Sequence, residues 1–187
     1  MATIPQLGYA LLGLLQGKPS SGYDLRKIFS STSMRTYSDS PGSIYPALLR
    51  LEKQKLIRGS IEAGSRRRQV FRLTPKGLAE LKQWITAPVT LEDVVRFPDS
   101  VLLRFAFSET VVGPAASLEL LRSLADALTS QIAMLQQEYE LLKKIAPTSG
   151  RLAFECGLQG TKSLLNWAQS AITTYESLLG KKRGGTS

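Results

Sequence analysis

Ser38 to Ile57 read SDSPGSIYPALLRLEKQKLI, a helix-like stretch whose opening turns carry Pro41, Gly42 and Pro46. In a helix interior glycine costs about 1 kcal/mol and proline about 3 kcal/mol relative to alanine. Ser40 is a good N-cap and Pro41 suits the first helical position, so a helix starting there is expected despite them. At about 100° per residue, Ile44, Ala47, Leu48 and Leu51 fall on one face. The opposite face carries Gly42, Ser43, Tyr45, Pro46, Leu49, Arg50 and Lys53. That outer face is small at its start, then aromatic, then basic. Small residues let a backbone approach a partner closely, and a helix N-terminus points free N–H groups at phosphate.

The flanking sequence gives this helix a setting. Upstream, a first helix is predicted from about Pro5 to Gln16, with Leu7, Leu11, Leu14 and Leu15 at helical spacing. Next, SSGYDLRKIF offers Ser21 as N-cap with Asp24 three residues on, a capping-box pattern. Tyr23 stands near that helix start, where core packing and a phosphate hydrogen bond are both open to it. Downstream, LIRGSIEAG and RQVFRLT read as two strands joined by a turn that holds Arg66, Arg67 and Arg68. Thr74 and Pro75 then cap and begin another helix. Three helices, a basic hairpin and a fourth helix are the element order of a winged helix-turn-helix domain, in which the helix after the turn enters the major groove.

Charge follows the same division. Up to Ala87 there are 14 basic and 5 acidic residues, while the remainder holds 10 of each, so the whole net charge of +9 lies in the first half. Such asymmetry is expected of a polyanion-binding domain joined to a neutral partner domain. The chain contains no histidine and one cysteine, Cys156. A zinc site of the usual N/S type and His-dependent nucleophilic catalysis therefore have no ligands or base, and no metal, cofactor or enzymatic activity is expected. One cysteine forms no internal disulfide and fits a reducing compartment. The N-terminal apolar run lacks a basic n-region and is too short to span a bilayer, which points to a cytoplasmic protein without a membrane partner.

Residues 6–86 resemble the PadR family of bacterial transcriptional regulators. The motifs Gly22-Tyr23, Ser40-Pro41-Gly42, Ile44-Tyr45-Pro46-Ala47-Leu48, Arg50-Leu51-Glu52 and Leu73-Thr74-Pro75-Lys76-Gly77 occur in that family's order and spacing. The resemblance implies that Tyr45 and Pro46 belong to the recognition helix and that Arg66 to Arg68 lie on the wing. Two departures stand out: Ser21 precedes Gly22-Tyr23 where relatives often have histidine, and Ser65-Arg66-Arg67 replaces a frequent Gly-Arg-Pro.

Beyond the first domain, Ala87 to Pro98 read as a linker and Asp99 to Ser108 as a short helix. A long helix from Pro114 to about Ile145 carries Leu118, Leu121, Ala125, Leu128, Ile132, Leu135, Tyr139 and Leu142 alternately three and four apart. A second seam after Pro147 includes Phe154, Leu158, Leu165, Ala168, Ile172 and Leu179. Two such helices joined by a short turn form an antiparallel hairpin. The first seam's apolar surface is wider than one partner helix needs, so a homodimer is expected, with Leu118, Leu121, Leu128, Leu135, Leu165 and Ile172 at its interface. This half is similar to the longer PadR subgroup, whose AphA-like helical domain dimerises.

The expected architecture is thus mainly α with a small β wing: a winged helix-turn-helix domain over 1–87, a helical dimerisation and effector domain over 88–183, and a tail over 184–187. The expected partners are near-palindromic double-stranded DNA, a second copy of the chain and a small-molecule effector. DNA contacts are expected from Tyr23, Lys27, Ser40, Gly42, Ser43, Tyr45, Pro46, Arg50, Lys53, Arg66, Arg67 and Arg68. The resemblance implies effector control by a small aromatic ligand that relieves repression, with Arg104, Phe105, Phe154 and Trp167 as candidate contacts. A winged-helix adaptor that binds protein would share the fold but leave the concentrated charge unexplained.

Overall fold

A computed structural model describes residues 4–32, 34, 40–62 and 68–184. The chain divides into two compact units, Met1–Trp84 and Ile85–Ser187. The elements in chain order are α1 (Gln6–Gly17), β1 (Ser20–Ser21), α2 (Gly22–Ser31), α3 (Pro41–Lys53), β2 (Ile57–Glu62), β3 (Arg68–Leu73), α4 (Pro75–Thr86), α5 (Leu91–Arg96), α6 (Pro98–Val112), α7 (Pro114–Leu142) and α8 (Thr148–Gly184).

In the first unit, α1 to α3 pack around Leu11, Leu12, Leu25, Phe29, Ile44 and Leu48, each wholly buried. The periodic leucines account for this, since burying each such side chain contributes roughly 1.5–3 kcal/mol. The sheet is antiparallel in the order β1-β3-β2, with Arg58 opposite Arg72 and Glu62 opposite Arg68. The short β1 escaped the sequence reading because two serines carry no strand signature; pairing with Val70 and Phe71 creates it. The helix predicted over 5–16 lies one residue further on, over 6–17.

Local chemistry sets the helix ends. Ser21 Oγ accepts the Asp24 N–H at 3.2 Å, and the Asp24 carboxylate accepts from Ser21 N–H at 3.1 Å and Ser21 Oγ–H at 2.8 Å, which completes the capping box. Ser40 Oγ accepts the Gly42 N–H at 3.2 Å, and Pro41 occupies the first helical position of α3. Helix α3 closes on Lys55, the one non-glycine residue with positive φ (61°) among the described residues. That strained turn is tied down from α4: Thr74 Oγ1 lies 2.8 Å from Lys55 O and 2.9 Å from Leu56 O, and Lys76 Nζ donates to Gln54 O at 2.9 Å. A Cβ on Gly77 would stand 2.0 Å from Leu56 O, so only glycine lets α4 start this close.

The second unit differs from expectation in four places. The linker over 87–98 contains α5, whose capping box pairs Thr90 with Asp93. Helix α6 continues to Val112 rather than stopping at Ser108, because its end is set by Gly113 at φ 85°. Lys181–Gly184 finish α8 where a tail was expected to begin at 184, and 185–187 lie outside the described residues. Leu118, Leu121 and Leu128, expected at a dimer interface, are buried within the chain itself, because α5 and α6 also pack on α7. The paired helices run antiparallel, as Tyr139 bonds Glu155 near the turn and Arg122 bonds Glu176 further along at 2.9 Å. Leu135, Leu165 and Ile172 are half-buried along that seam. Among the described residues, no helix is long and apolar enough to cross a membrane.

Candidate nucleic-acid interface

The outer face of α3 is exposed where the periodicity placed it. Gly42, Tyr45, Pro46, Arg50 and Lys53 reach solvent, while Ser43 is half-buried. Among the described residues a Cβ built on Gly42 meets only Ser40 Oγ, at 3.4 Å, so none of them demands a glycine there. Pro46 removes the N–H that would reach the Gly42 carbonyl. Arg50 Nε donates to Pro46 O at 3.3 Å, which lays the guanidinium stem along the same face.

Tyr45 joins α3 to α2. Its ring lies so close to Gly22 that a Cβ there would stand 2.5 Å from Tyr45 Cε1. The Gly22-Tyr23 and Ile44-Tyr45-Pro46 motifs, separated by some twenty residues of sequence, therefore form one surface. Tyr23 beside it is 65% exposed, which removes it from the core. Lys27 is exposed one turn further along α2.

The hairpin is fastened to this surface twice. Glu52 Oε1 accepts the Gly59 N–H at 2.7 Å, and a Cβ on Gly59 would come within 2.8 Å of that oxygen. Arg68 forms an ion pair and hydrogen bond with the Asp24 carboxylate, the same group that caps α2. Burial pushes the Asp24 carboxyl upward, but hydrogen bonds from Ser21 and Arg68 outweigh it and hold the group below its ordinary range. Arg68 is thus partly committed to positioning β3. Arg66 and Arg67 lie outside the described residues.

Sequence reasoning missed the roles of Glu52 and Gly59 and the pairing of Asp24 with Arg68, although the paired Arg50-Leu51-Glu52 and the glycine within a strand were signals. It also passed over Arg58 and Arg72, which are exposed and face one another across β2 and β3. Like charges directly opposite destabilise a sheet unless an anion meets them.

The four residues expected to contact an effector do not converge. Phe105 meets Trp167 edge-on with ring centroids 5.5 Å apart, and Phe154 stacks on Tyr139 instead. Arg104, expected to pair with a carboxylate, is buried and donates to Ile85 O at 3.1 Å and to Ala87 O. Its guanidinium caps the end of α4 through Nη2, while the buried Nε has no partner among the described residues. Burial lowers its pKa, and the Asp93 charge partly opposes this.

Residues 11–83 match the Transcriptional regulator PadR-like family. A relative from Bacillus subtilis (strain 168), described as "Negative transcriptional regulator PadR", is 27% identical over 180 residues, covering 91% of this chain and 97% of its own length. Among solved structures, Bacillus subtilis PadR in complex with operator DNA is 23% identical, covering 92% of this chain and 99% of that one, with a TM-score of 0.45. The same protein in complex with p-coumaric acid is 22% identical, covering 92% and 99%, with a TM-score of 0.41. The motifs on α2, α3 and α4 lie within the matched residues, so it is over this first unit that the chain is similar to the PadR-like family of transcriptional regulators.

Proposed function

We propose that the chain is a homodimeric repressor that reads operator DNA with the outer face of α3 in the major groove. The observation that carries this reading is the outer face itself. Gly42, Tyr45, Pro46 and Arg50 are exposed together, and no contact among the described residues requires glycine at 42. Ser40 and Gly42 set the helix N-terminus for phosphate, with Tyr23, Lys27 and Lys53 flanking it. The wing residues Arg66 and Arg67 add largely sequence-independent affinity, and Arg68 holds the hairpin on Asp24. The negative sign of regulation rests on the description of the Bacillus subtilis relative. A small aromatic effector relieves repression in this reading, and the protein acts in the cytoplasm.

The second unit supplies the second copy. Met134, Leu141, Ile145, Leu152 and Leu178 are exposed on α7, α8 and the turn between them. We assign the dimer surface to these residues together with Leu135, Leu165 and Ile172, in place of the internally buried leucines. Two copies about a two-fold axis address two half-sites about one helical turn apart.

Fluorescence anisotropy with the duplex upstream of the protein's own gene, against a shuffled duplex and across salt concentrations, tests the reading. Preference for the native duplex, with affinity falling steeply as salt rises, is the expected result. Absence of binding to either duplex at low salt would favour a protein-binding adaptor.

A further inference from the structure

We infer that Leu49 is a specificity residue that reads the C5-methyl group of a thymine in each operator half-site. The role rests on α3 being the helix that enters the major groove, as proposed. The first unit holds thirteen leucines, and Leu49 alone among them is exposed, at 61%. Leu48 and Leu51 beside it are buried at 0% and 2%, so the core is already filled from the other face of the helix. A lone exposed leucine is ordinary on a protein surface, and position is what singles this one out. At about 100° per residue, Leu49 falls about 20° from Gly42 and about 40° from both Tyr45 and Lys53, in the middle of the outer face.

The chemistry of that position points to one kind of base edge. Leucine has no donor or acceptor, so phosphate oxygens and polar base atoms are closed to it. Covering a guanine, cytosine or adenine edge with it would strip polar groups of water without replacing their hydrogen bonds. The thymine methyl is the apolar group that the major groove presents. The exposed charges on either side, Arg50 and Lys53, are cations suited to flanking phosphates, and the nearby Glu52 carboxylate is engaged by the Gly59 N–H at 2.7 Å. Gly42 carries no side chain to hold the helix off, so a side chain as short as leucine can reach the base edges.

Fluorescence anisotropy of the full chain on the upstream duplex, made with deoxyuridine in place of thymidine, tests the assignment, because the methyl groups alone are lost. Wild type should bind the uracil duplex about fourfold more weakly per half-site, equivalent to roughly 0.8 kcal/mol for one buried methyl group. Leu49→Ala, at an exposed position, should cut that penalty below about twofold, and Leu49→Met should keep the wild-type penalty. Uracil placed at one thymine at a time should trace the wild-type loss to a single position in each half-site. An equal uracil penalty in wild type and Leu49→Ala overturns the assignment, and so does a wild type that prefers the native duplex to the shuffled one yet shows no penalty. A wild type with no preference for the native duplex defeats the regulator reading and the assignment together, so the thymine duplexes alone tell the two failures apart.

Discussion

Glycine serves opposite ends at positions 42 and 77. At Gly77 a side chain would collide with the Leu56 carbonyl, which backbone geometry cannot move cheaply. Gly77→Ala should lower unfolding stability by about 3 kcal/mol, measured by urea denaturation, because both the α4 start and the Lys55 turn must shift. At Gly42 a side chain meets, among the described residues, only a serine hydroxyl at contact distance. Gly42→Ala should leave stability unchanged or raise it by up to about 1 kcal/mol, since alanine loses less entropy in a helix. The same substitution should weaken operator binding at least about tenfold, read by anisotropy. Asp24 gives the residue scale its pH dependence. Its folded pKa lies below the ordinary value, so its contribution is present above about pH 4 and lost as pH falls through the folded pKa. Asp24→Asn should be less stable than wild type at neutral pH, and the gap should close in acid titrations below about pH 4.

At the scale of elements, the first unit was legible because its chemistry is local. Ser21 with Asp24, Ser40 with Pro41, and Thr74 with Pro75 each announce a helix start within four residues, and each cap forms. What escaped was made by contacts distant in sequence. Gly22 is needed by Tyr45, Gly59 by Glu52, and Arg68 finds its acid forty-four residues upstream. A single chain read in order shows these residues but not their meeting. Helix α5 was hidden for another reason: six residues between prolines read as a linker, although Thr90 and Asp93 already formed a capping pattern. The backbone partners of Arg104 were hidden likewise, since a lone arginine in an apolar helix gives no sign that the Ile85 carbonyl takes one of its nitrogens.

For the whole molecule, apolar periodicity gave the antiparallel α7–α8 pair but not which leucines remain outside it. The seam is buried at Leu118, Leu121 and Leu128 and only half-buried at Leu135, because α5 and α6 cover just the first part of α7. The exposed leucine at 141 and isoleucine at 145 are therefore where a second copy is expected. Leu141→Glu with Ile145→Glu should shift sedimentation velocity from dimer toward monomer at micromolar concentration, whereas Leu121→Ala should unfold the unit by about 2–5 kcal/mol. A dimer unaffected by the two glutamates would place the interface elsewhere.

The assignment of sequence reading to the outer face of α3 is tested most directly by the specificity ratio of Tyr45→Ala, its affinity for the upstream duplex divided by that for a shuffled duplex at one fixed salt concentration. Tyr45 is partly exposed and packs on glycine, so its truncation removes a contact surface without opening the core. The expected result is a ratio collapsed at least about tenfold, with binding to the shuffled duplex nearly unchanged, since the hairpin cations remain. An unchanged ratio, or an equal loss on both duplexes, would contradict the claim that this face reads the operator.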